Sequence, residues 1–424
     1  MTRGYSIFTG FSTYQLRNIF RDSLKSSENL IQLLFVILAF VFPLSVALGN
    51  TLIYLIILIW IFSGNLKSKL QQVFQNNLAI LSIVFFGINL LGMLWTANIE
   101  MGLFHLKKMI DFLLILPIFL VITRKENIPI YINLFLFSIG ITNFLSFLVW
   151  FEIIPPILKA TLENPTVTMS HISYNPFLAI AAYISLYLAY LKEGQSSFLK
   201  IFLTVFFAAI TFNMFITGGR AGQIMFLFML VFFFFQKHGY RSIKSYLPIF
   251  FFIPGIVFFA YEYSDNFNRR INDSIKNVNF IEDESLRGTS IGQRITWAES
   301  TIDMFLKYPL YGVGTGDFKD EFEKIHNKKF GKIVDIVPIT NNPHNMYLLV
   351  LSTLGILGFI SFILIFAYQI FFAIKSKGFN YYFGTTLPLA FLLIMFSESY
   401  LLGHFTTTLY VFFSSFLYKN FDTD

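Results

Sequence analysis

From Leu30 onward the apolar residues come in runs of roughly twenty positions, parted by short polar breaks, with neither the 3.6-residue nor the two-residue period of a half-buried element. A helix needs ~20 such residues to cross the hydrocarbon of a bilayer. The runs predict twelve spans, over 30–48, 51–63, 77–95, 109–122, 128–150, 176–191, 198–217, 221–235, 246–260, 346–374, 385–402 and 405–418. The chain then divides into an N-terminal segment 1–29, a first membrane block 30–260, a polar stretch 261–345, a second block 346–418 and a tail 419–424. The fold class predicted is all-α, a polytopic membrane protein of about twelve transmembrane helices.

The polar stretch has a pattern of its own. In IGQRITWAESTIDMFLK (291–307) the apolar positions Ile295, Ala298, Ile302 and Phe305 recur at helical spacing, so one face can be buried. Tyr308-Pro309 stops this helix, LYGVGTGDF reads as a glycine turn, and a second short helix is predicted over 317–326. A loop this long with its own elements predicts a helical cap rather than a linker.

Composition agrees, since 55% of the 424 residues are apolar and 13% charged, whereas a soluble chain of this length would interleave more charge. The 56 phenylalanines suit lipid-facing surfaces and name no function. The lack of cysteine excludes disulfides and thiolate metal sites. Arg3, Arg17, Arg21 and Lys25 precede the first run without a short apolar stretch and a cleavage site, which predicts an uncleaved first span. With the N-terminus cytoplasmic, sixteen basic residues border the cytoplasmic segments, against Lys107, Lys108, Lys159 and Arg220 in the short outer loops. Both ends are thus expected inside and 261–345 outside. That loop holds eleven basic and thirteen acidic residues, too near neutral for a nucleic-acid partner.

In this threading the polar groups at the outer face are the candidates for chemistry, because ionisable residues in or near the membrane are costly to keep. His344 follows Asn341-Asn342-Pro343 at the expected start of the tenth span, where the positive end of the helix dipole favours a neutral ring able to accept a proton. The plainer reading is a histidine that caps a helix. Gly355 and Gly358, further along, permit close helix packing. Arg220, in the turn TGGRAG, either snorkels to lipid headgroups or, with glycine N–H groups beside it, binds an anion such as phosphate. Arg294 opens the helix of the cap, where a cation is unfavourable alone and implies an anionic ligand or a salt bridge. Lys107 and Lys108, beside His105 and Asp111, could attract an anionic headgroup or be neutralised by Asp111. Glu398 in SESYLLG could orient the histidine or pair with an arginine. His171 and His404 are lesser candidates. GVGTG follows no strand and is no nucleotide fingerprint, and no motif that would hold a metal is present.

Together these pieces resemble the O-antigen ligase and polymerase superfamily, membrane glycan-transfer proteins with a GT-C-type fold. Its hallmark is a histidine followed by Asn, Ser or Gln, nine residues, then G-x-x-G; here His344-Asn345, Met346 to Leu354, then Gly355-Ile-Leu-Gly358. TGGRAG and the stretch GQRITWAESTIDMFLKYPLYGVGTGDF extend the likeness, which covers about residues 200–405, with Gly219 where the family usually has serine. The resemblance implies a bacterial inner-membrane enzyme with its site facing the periplasm. It implies a donor glycan on undecaprenyl diphosphate, held by Arg220 and Arg294, and an acceptor hydroxyl deprotonated by His344, with inversion and without metal or cofactor. Asn345, Glu398, Lys107, Lys108 and His171 would support the site, and Gly355 and Gly358 belong to the motif. The acceptor would be lipid A-core, for a ligase, or another lipid-linked glycan, for a polymerase; a protein oligosaccharyltransferase fits less well. A secondary transporter or flippase is the competing class, but the single long break after the ninth span and the lack of a 6+6 repeat weigh against it.

Overall fold

The computed structural model describes residues 13–264, 267–269, 271–272, 287–331 and 336–421, and every regular element among them is helical. Arg3 and the end of the tail lie outside the described residues. The helices in chain order are α1 (Thr13–Asp22), α2 (Ser27–Val41), α3 (Val46–Phe62), α4 (Leu66–Gln75), α5 (Asn77–Leu91), α6 (Ile99–Ile110), α7 (Leu116–Ile122), α8 (Ile128–Trp150) and α9 (His171–Leu186). They continue with α10 (Ser197–Ile216), α11 (Arg220–His238), α12 (Ile243–Tyr263), α13 (Ser290–Lys307), α14 (Phe318–Phe330), α15 (Met346–Lys375), α16 (Phe379–Ile394) and α17 (His404–Leu417).

Each of the twelve predicted runs overlaps a helix, although 30–48 crosses the break between α2 and α3 and 385–402 runs past the end of α16. By length and composition alone, seven helices among the described residues can cross a membrane, or eight if α3 and α4, bent by 116°, count as one. Three boundaries differ from the sequence reading for local reasons. Pro43 lies in a break after Val41, and Ser45 then caps α3 by accepting from Leu48 N, so the second run starts at 46 rather than 51. The fourth run is the second half of a longer helix, α6 continuing through a π-helical turn (Asp111–Ile115) into α7; Glu100, His105, Lys107 and Lys108 hide its first half from hydropathy. Helix α16 stops at Ile394, which leaves Glu398 in a turn outside the helix.

Helices α9 and α17 are the central posts. The apolar window of α9 is 89% buried and Phe405–Leu417 of α17 are all buried, whereas only 11% of the window of α12 is, which puts α12 on the periphery. Rings from α2, α8, α9 and α17 interlock around them, with Phe42 at 4.9 Å from Phe412 and Phe35 at 5.4 Å from the same ring. Buried polar groups pair among themselves, as a membrane interior requires: Asn213 Nδ2 donates to Asn143 Oδ1 at 2.7 Å, and Ser146 Oγ to Asn213 Oδ1 at 3.0 Å.

Cross-chain hydrogen bonds define two ends of the bundle. At one, Lys419 Nζ donates to the carbonyls of Val121 and Thr123, and Asn380 Nδ2 to that of Leu417. At the other, Gly218 N donates to Asn164 Oδ1, Thr315 Oγ1 to Asn89 O, and Met346 N to Met395 O. The second end carries α13 and α14, the helices predicted within the polar stretch, the latter running to Phe330 rather than 326.

Candidate active site at the capped end of the bundle

Helix α15 starts at Met346, where the tenth predicted run begins, which leaves His344 just outside the helix. Asn345 is its N-cap, with Oδ1 accepting from Leu348 N at 3.0 Å, while Pro343 stays outside the helix. Asn345 Nδ2 also donates to Phe396 O at 3.1 Å, which ties the start of α15 to the turn after α16. His344 is therefore held in the turn before the cap, at a φ of 51°, a left-handed conformation that costs a β-carbon-bearing residue ~1–2 kcal/mol. Its N–H donates to Asn342 Oδ1 at 3.0 Å, and that same oxygen accepts from Ser399 Oγ at 2.8 Å.

The ring of His344 is gripped on one edge and one face. Nδ1 lies 2.8 Å from Glu398 Oε2, and the indole of Trp297 stacks on the ring at 5.2 Å between centroids and 25° between planes. Trp297 is fixed in turn by donating from Nε1 to Pro338 O at 2.9 Å. A carboxylate only accepts, so Nδ1 carries the proton and Nε2 presents its lone pair. Among the described residues nothing hydrogen-bonds Nε2, and the side chain is 33% exposed. The other oxygen of Glu398 accepts from Ser399 N at 3.0 Å. Burial by itself pushes the Glu398 carboxyl up, but the hydrogen bond from His344, the Ser399 N–H and the nearby Arg294 together hold it below the ordinary glutamate value.

The arginines approach from α11 and α13. Arg294 makes no hydrogen bond or ion pair with a described residue, which removes the salt-bridge reading for those residues, yet its charge reaches both Glu398 and Tyr400. Arg220 Nη2 donates to Ser290 Oγ at 3.4 Å, at the first turn of α13 and one turn before Arg294. Two guanidinium groups and the histidine–carboxylate pair thus gather around the start of α13. The glycines around Arg220 serve packing instead: a Cβ on Gly219 would lie 2.5 Å from His171 O and one on Gly222 2.3 Å from Asn175 Cβ, and Gly218 N is already bonded to Asn164. They let α11 press against the start of α9, where His171 stands.

The G-x-x-G pair does more than ease helix packing. Gly355 has a φ of 65° inside α15 and breaks it, and the glycine turn after α13 enters the break. Ile356 N donates to Pro309 O at 2.9 Å, and Val313 N and Gly314 N donate to the carbonyls of Ser352 and Thr353 at 2.9 and 3.0 Å. A Cβ at Gly355 would stand 2.3 Å from the Leu310 backbone, and one at Gly358 2.2 Å from Cβ of Leu354. The same turn reaches α6, where the Asp317 carboxylate accepts from Ala97 N and Asn98 N at 2.8 and 2.7 Å. The break therefore bolts the cap to the bundle and sets α13, with Trp297 and Arg294, against His344.

Lys108 lines a cavity of about 90 Å³ with His105, Lys319, Asn341 and Asn342, on the chain just before His344. Lys107 is exposed, and neither lysine pairs with Asp111, which is buried. His404 begins α17 at the same end. Trp297, Asn342 and Ser399 were not singled out in the sequence, because their roles depend on contacts across 47, 2 and 57 positions. No three His, Asp or Glu side chains converge to hold a metal among the described residues, so the site's charge chemistry is that of two arginines and a histidine–glutamate pair.

Fold and site define a multi-pass membrane protein with a polar site of histidine, glutamate and two arginines at one end of its bundle. Residues 203–363 match the family model described as O-antigen ligase. The matched region holds Arg220, Arg294, His344, Gly355 and Gly358, while Glu398 lies beyond it. No curated protein matches the chain.

Proposed function

We propose that this protein is an O-antigen ligase-like glycosyltransferase of the bacterial inner membrane, moving a glycan from undecaprenyl diphosphate to an outer-leaflet acceptor such as lipid A-core, with the His344 end facing the periplasm. The observation that carries the reading is the His344–Glu398 pair at 2.8 Å, with Nε2 unengaged among the described residues and two arginines near. In the reaction, Nε2 takes the proton of an acceptor hydroxyl as its oxygen bonds to the anomeric carbon from the face opposite the leaving group. The bond from that carbon to the phosphate oxygen breaks, the diphosphate departs with the electron pair, and Arg220 and Arg294 offset the charge that develops on it. Glu398 keeps the proton on Nδ1 and stabilises the imidazolium that forms, as the face of Trp297 also would.

The test is glycan transfer by the purified full-length protein in detergent, from an undecaprenyl-diphosphate donor to either lipid A-core or a second lipid-linked repeat, beside His344→Ala. Transfer to lipid A-core that the variant lacks supports the ligase reading. Lengthening of the lipid-linked chain instead makes the protein a polymerase with the same base. Transfer undiminished in the variant would return His344 to a structural role.

A further inference from the structure

The segment that carries His344 and the turn that carries Glu398 are joined at four successive levels. Met346 N donates to Met395 O at 2.9 Å, Asn345 Nδ2 to Phe396 O at 3.1 Å, His344 Nδ1 to Glu398 Oε2 at 2.8 Å, and Ser399 Oγ to Asn342 Oδ1 at 2.8 Å. Each step back along the first segment is a step forward along the second, so the contacts form a short antiparallel ladder. Its first two rungs are anchored by the start of α15 and the end of α16. The histidine–glutamate rung comes third, and the Asn342–Ser399 rung lies beyond it. Without that last rung the His344–Glu398 contact would be the free end, and hydrogen-bonded elements open first at their free ends.

The closing rung also grips each partner of the third. Asn342 Oδ1 accepts from His344 N at 3.0 Å as well as from Ser399 Oγ, so both lone pairs of one amide oxygen are used. Ser399 N donates at 3.0 Å to Glu398 Oε1, the carboxylate oxygen that His344 does not engage. A single side chain thus fixes the His344 backbone, at its φ of 51°, and the residue that orients the carboxylate. Asn342 is itself held by Thr340, whose Oγ1 accepts from Asn342 N at 3.1 Å and donates to Asn342 O at 2.7 Å. Thr340 and Ser399 are buried, which shields these bonds from competing water. A reacting group has to be kept within about 0.5 Å of its working position by supports of this kind.

We propose that Asn342 and Ser399 are positioning residues that set the His344–Glu398 contact, acting through the base and not on the substrate. The catalytic consequence rests on the glycan-transfer reading; the geometric claim does not. The test pairs transfer kinetics with NMR of the Nδ1 proton in isotope-labelled histidine, both on the full-length protein in detergent. Asn342→Ala should lower kcat by about 10–100-fold with KM nearly kept, and Ser399→Ala by about 3–10-fold. The double variant should be within about twofold of Asn342→Ala, because both changes remove the same rung. Ser397→Ala, in the same turn but with its Oγ bonded to Ile394 O at 2.8 Å, should leave kcat unchanged. Undiminished kcat in Asn342→Ala, or single losses that multiply in the double variant, would overturn the proposal. Ser399→Ala removes one hydroxyl, so it keeps the test open if Asn342→Ala does not fold. The Nδ1 proton resonance, identified as the one that His344→Ala abolishes, should shift in Asn342→Ala and Ser399→Ala and stay in Ser397→Ala. A resonance that stays in all three overturns the positioning claim whatever the kinetics. One that shifts while His344→Ala leaves transfer undiminished upholds the positioning and overturns the catalytic reading of His344 instead.

Discussion

Helix α13 holds two histidines in opposite ways. His326, from α14, lies against Ser300 and is fully buried; its Nδ1 is 3.0 Å from Ser300 Oγ, its Nε2 3.3 Å from Val337 O, and its ring stacks on Phe322 at 5.1 Å and 18°. His344 stacks on Trp297, three residues before Ser300, with nearly the same ring separation. Aromatic stacking is thus common to both and distinguishes nothing. What differs is the second nitrogen. In His326 both are engaged and the backbone is regular helix, so the ring is a buried polar group fully repaid by its partners. In His344 one nitrogen is engaged by a carboxylate, the other is presented, and the backbone is held in a strained conformation by Asn342 and Asn345. Strain kept in place by several hydrogen bonds, around a group left half-satisfied, is what separates the proposed base from a structural histidine.

The contrast breaks most decisively at His344. His344→Ala should lower glycan transfer by about 10²–10⁴-fold, the range for loss of a general base, with thermal stability nearly unchanged because the ring is a third exposed. Comparable loss in His326→Ala protein that is still folded would erase the distinction. Glu398→Gln should come next, at about 10²-fold on kcat with KM nearly kept. A glutamine amide can donate to Nδ1, which moves the proton to Nε2 and leaves no lone pair for the acceptor hydroxyl. A pH-rate profile for that variant unchanged from wild type would instead make Glu398 a structural partner. His326→Ala itself should cost about 1–3 kcal/mol of stability, by leaving Val337 O unpaired in a buried place, while Ser300 Oγ keeps its bond to Thr296 O. Thermal unfolding would report this, while transfer at a permissive temperature persists.

Much of this was legible in the chain. The apolar runs mark the helices because a bilayer imposes one length and one polarity on every crossing. His344, Arg220, Arg294 and Glu398 stood out because charge near a membrane is expensive. The π turn joining α6 to α7 was hidden, since Glu100, Lys107 and Lys108 make the first half of that helix look like a loop. The start of α15 at Met346 was legible, but that Asn345 is the residue capping it, with His344 held outside the helix, was not. Trp297 was beyond reach of the local pattern, which put the buried face of that helix on Ile295, Ala298, Ile302 and Phe305, whereas the fold buries Thr296, Trp297, Ser300 and Met304 and leaves Ile302 exposed. The spacing of Gly355 and Gly358 suggests close packing; that a loop from 40 residues upstream enters the helix there depends on the whole fold.

The smallest effect sharpens the comparison on the structural side. Burial lowers the His326 imidazole below its ordinary value of 6.5, and the hydrogen bond to Val337 O only partly opposes this. The folded protein therefore keeps His326 neutral at a pH where the unfolded chain already protonates it. Above 6.5 both states are neutral and this residue adds no pH dependence. As pH falls from 6.5 through the lower folded value, the unfolded state binds more protons and stability declines. Glu398, held below the ordinary glutamate value of 4.5, stays ionised through that window, so its own linkage begins only under more acidic conditions. Unfolding midpoints measured from pH 7 down to pH 5 should decline in the wild type and decline less steeply in His326→Gln, which removes one of the histidines that burial keeps neutral. An equal slope in the two proteins would mean that another group in the cap carries the acid sensitivity and that His326 is not the buried, neutral counterpart of His344.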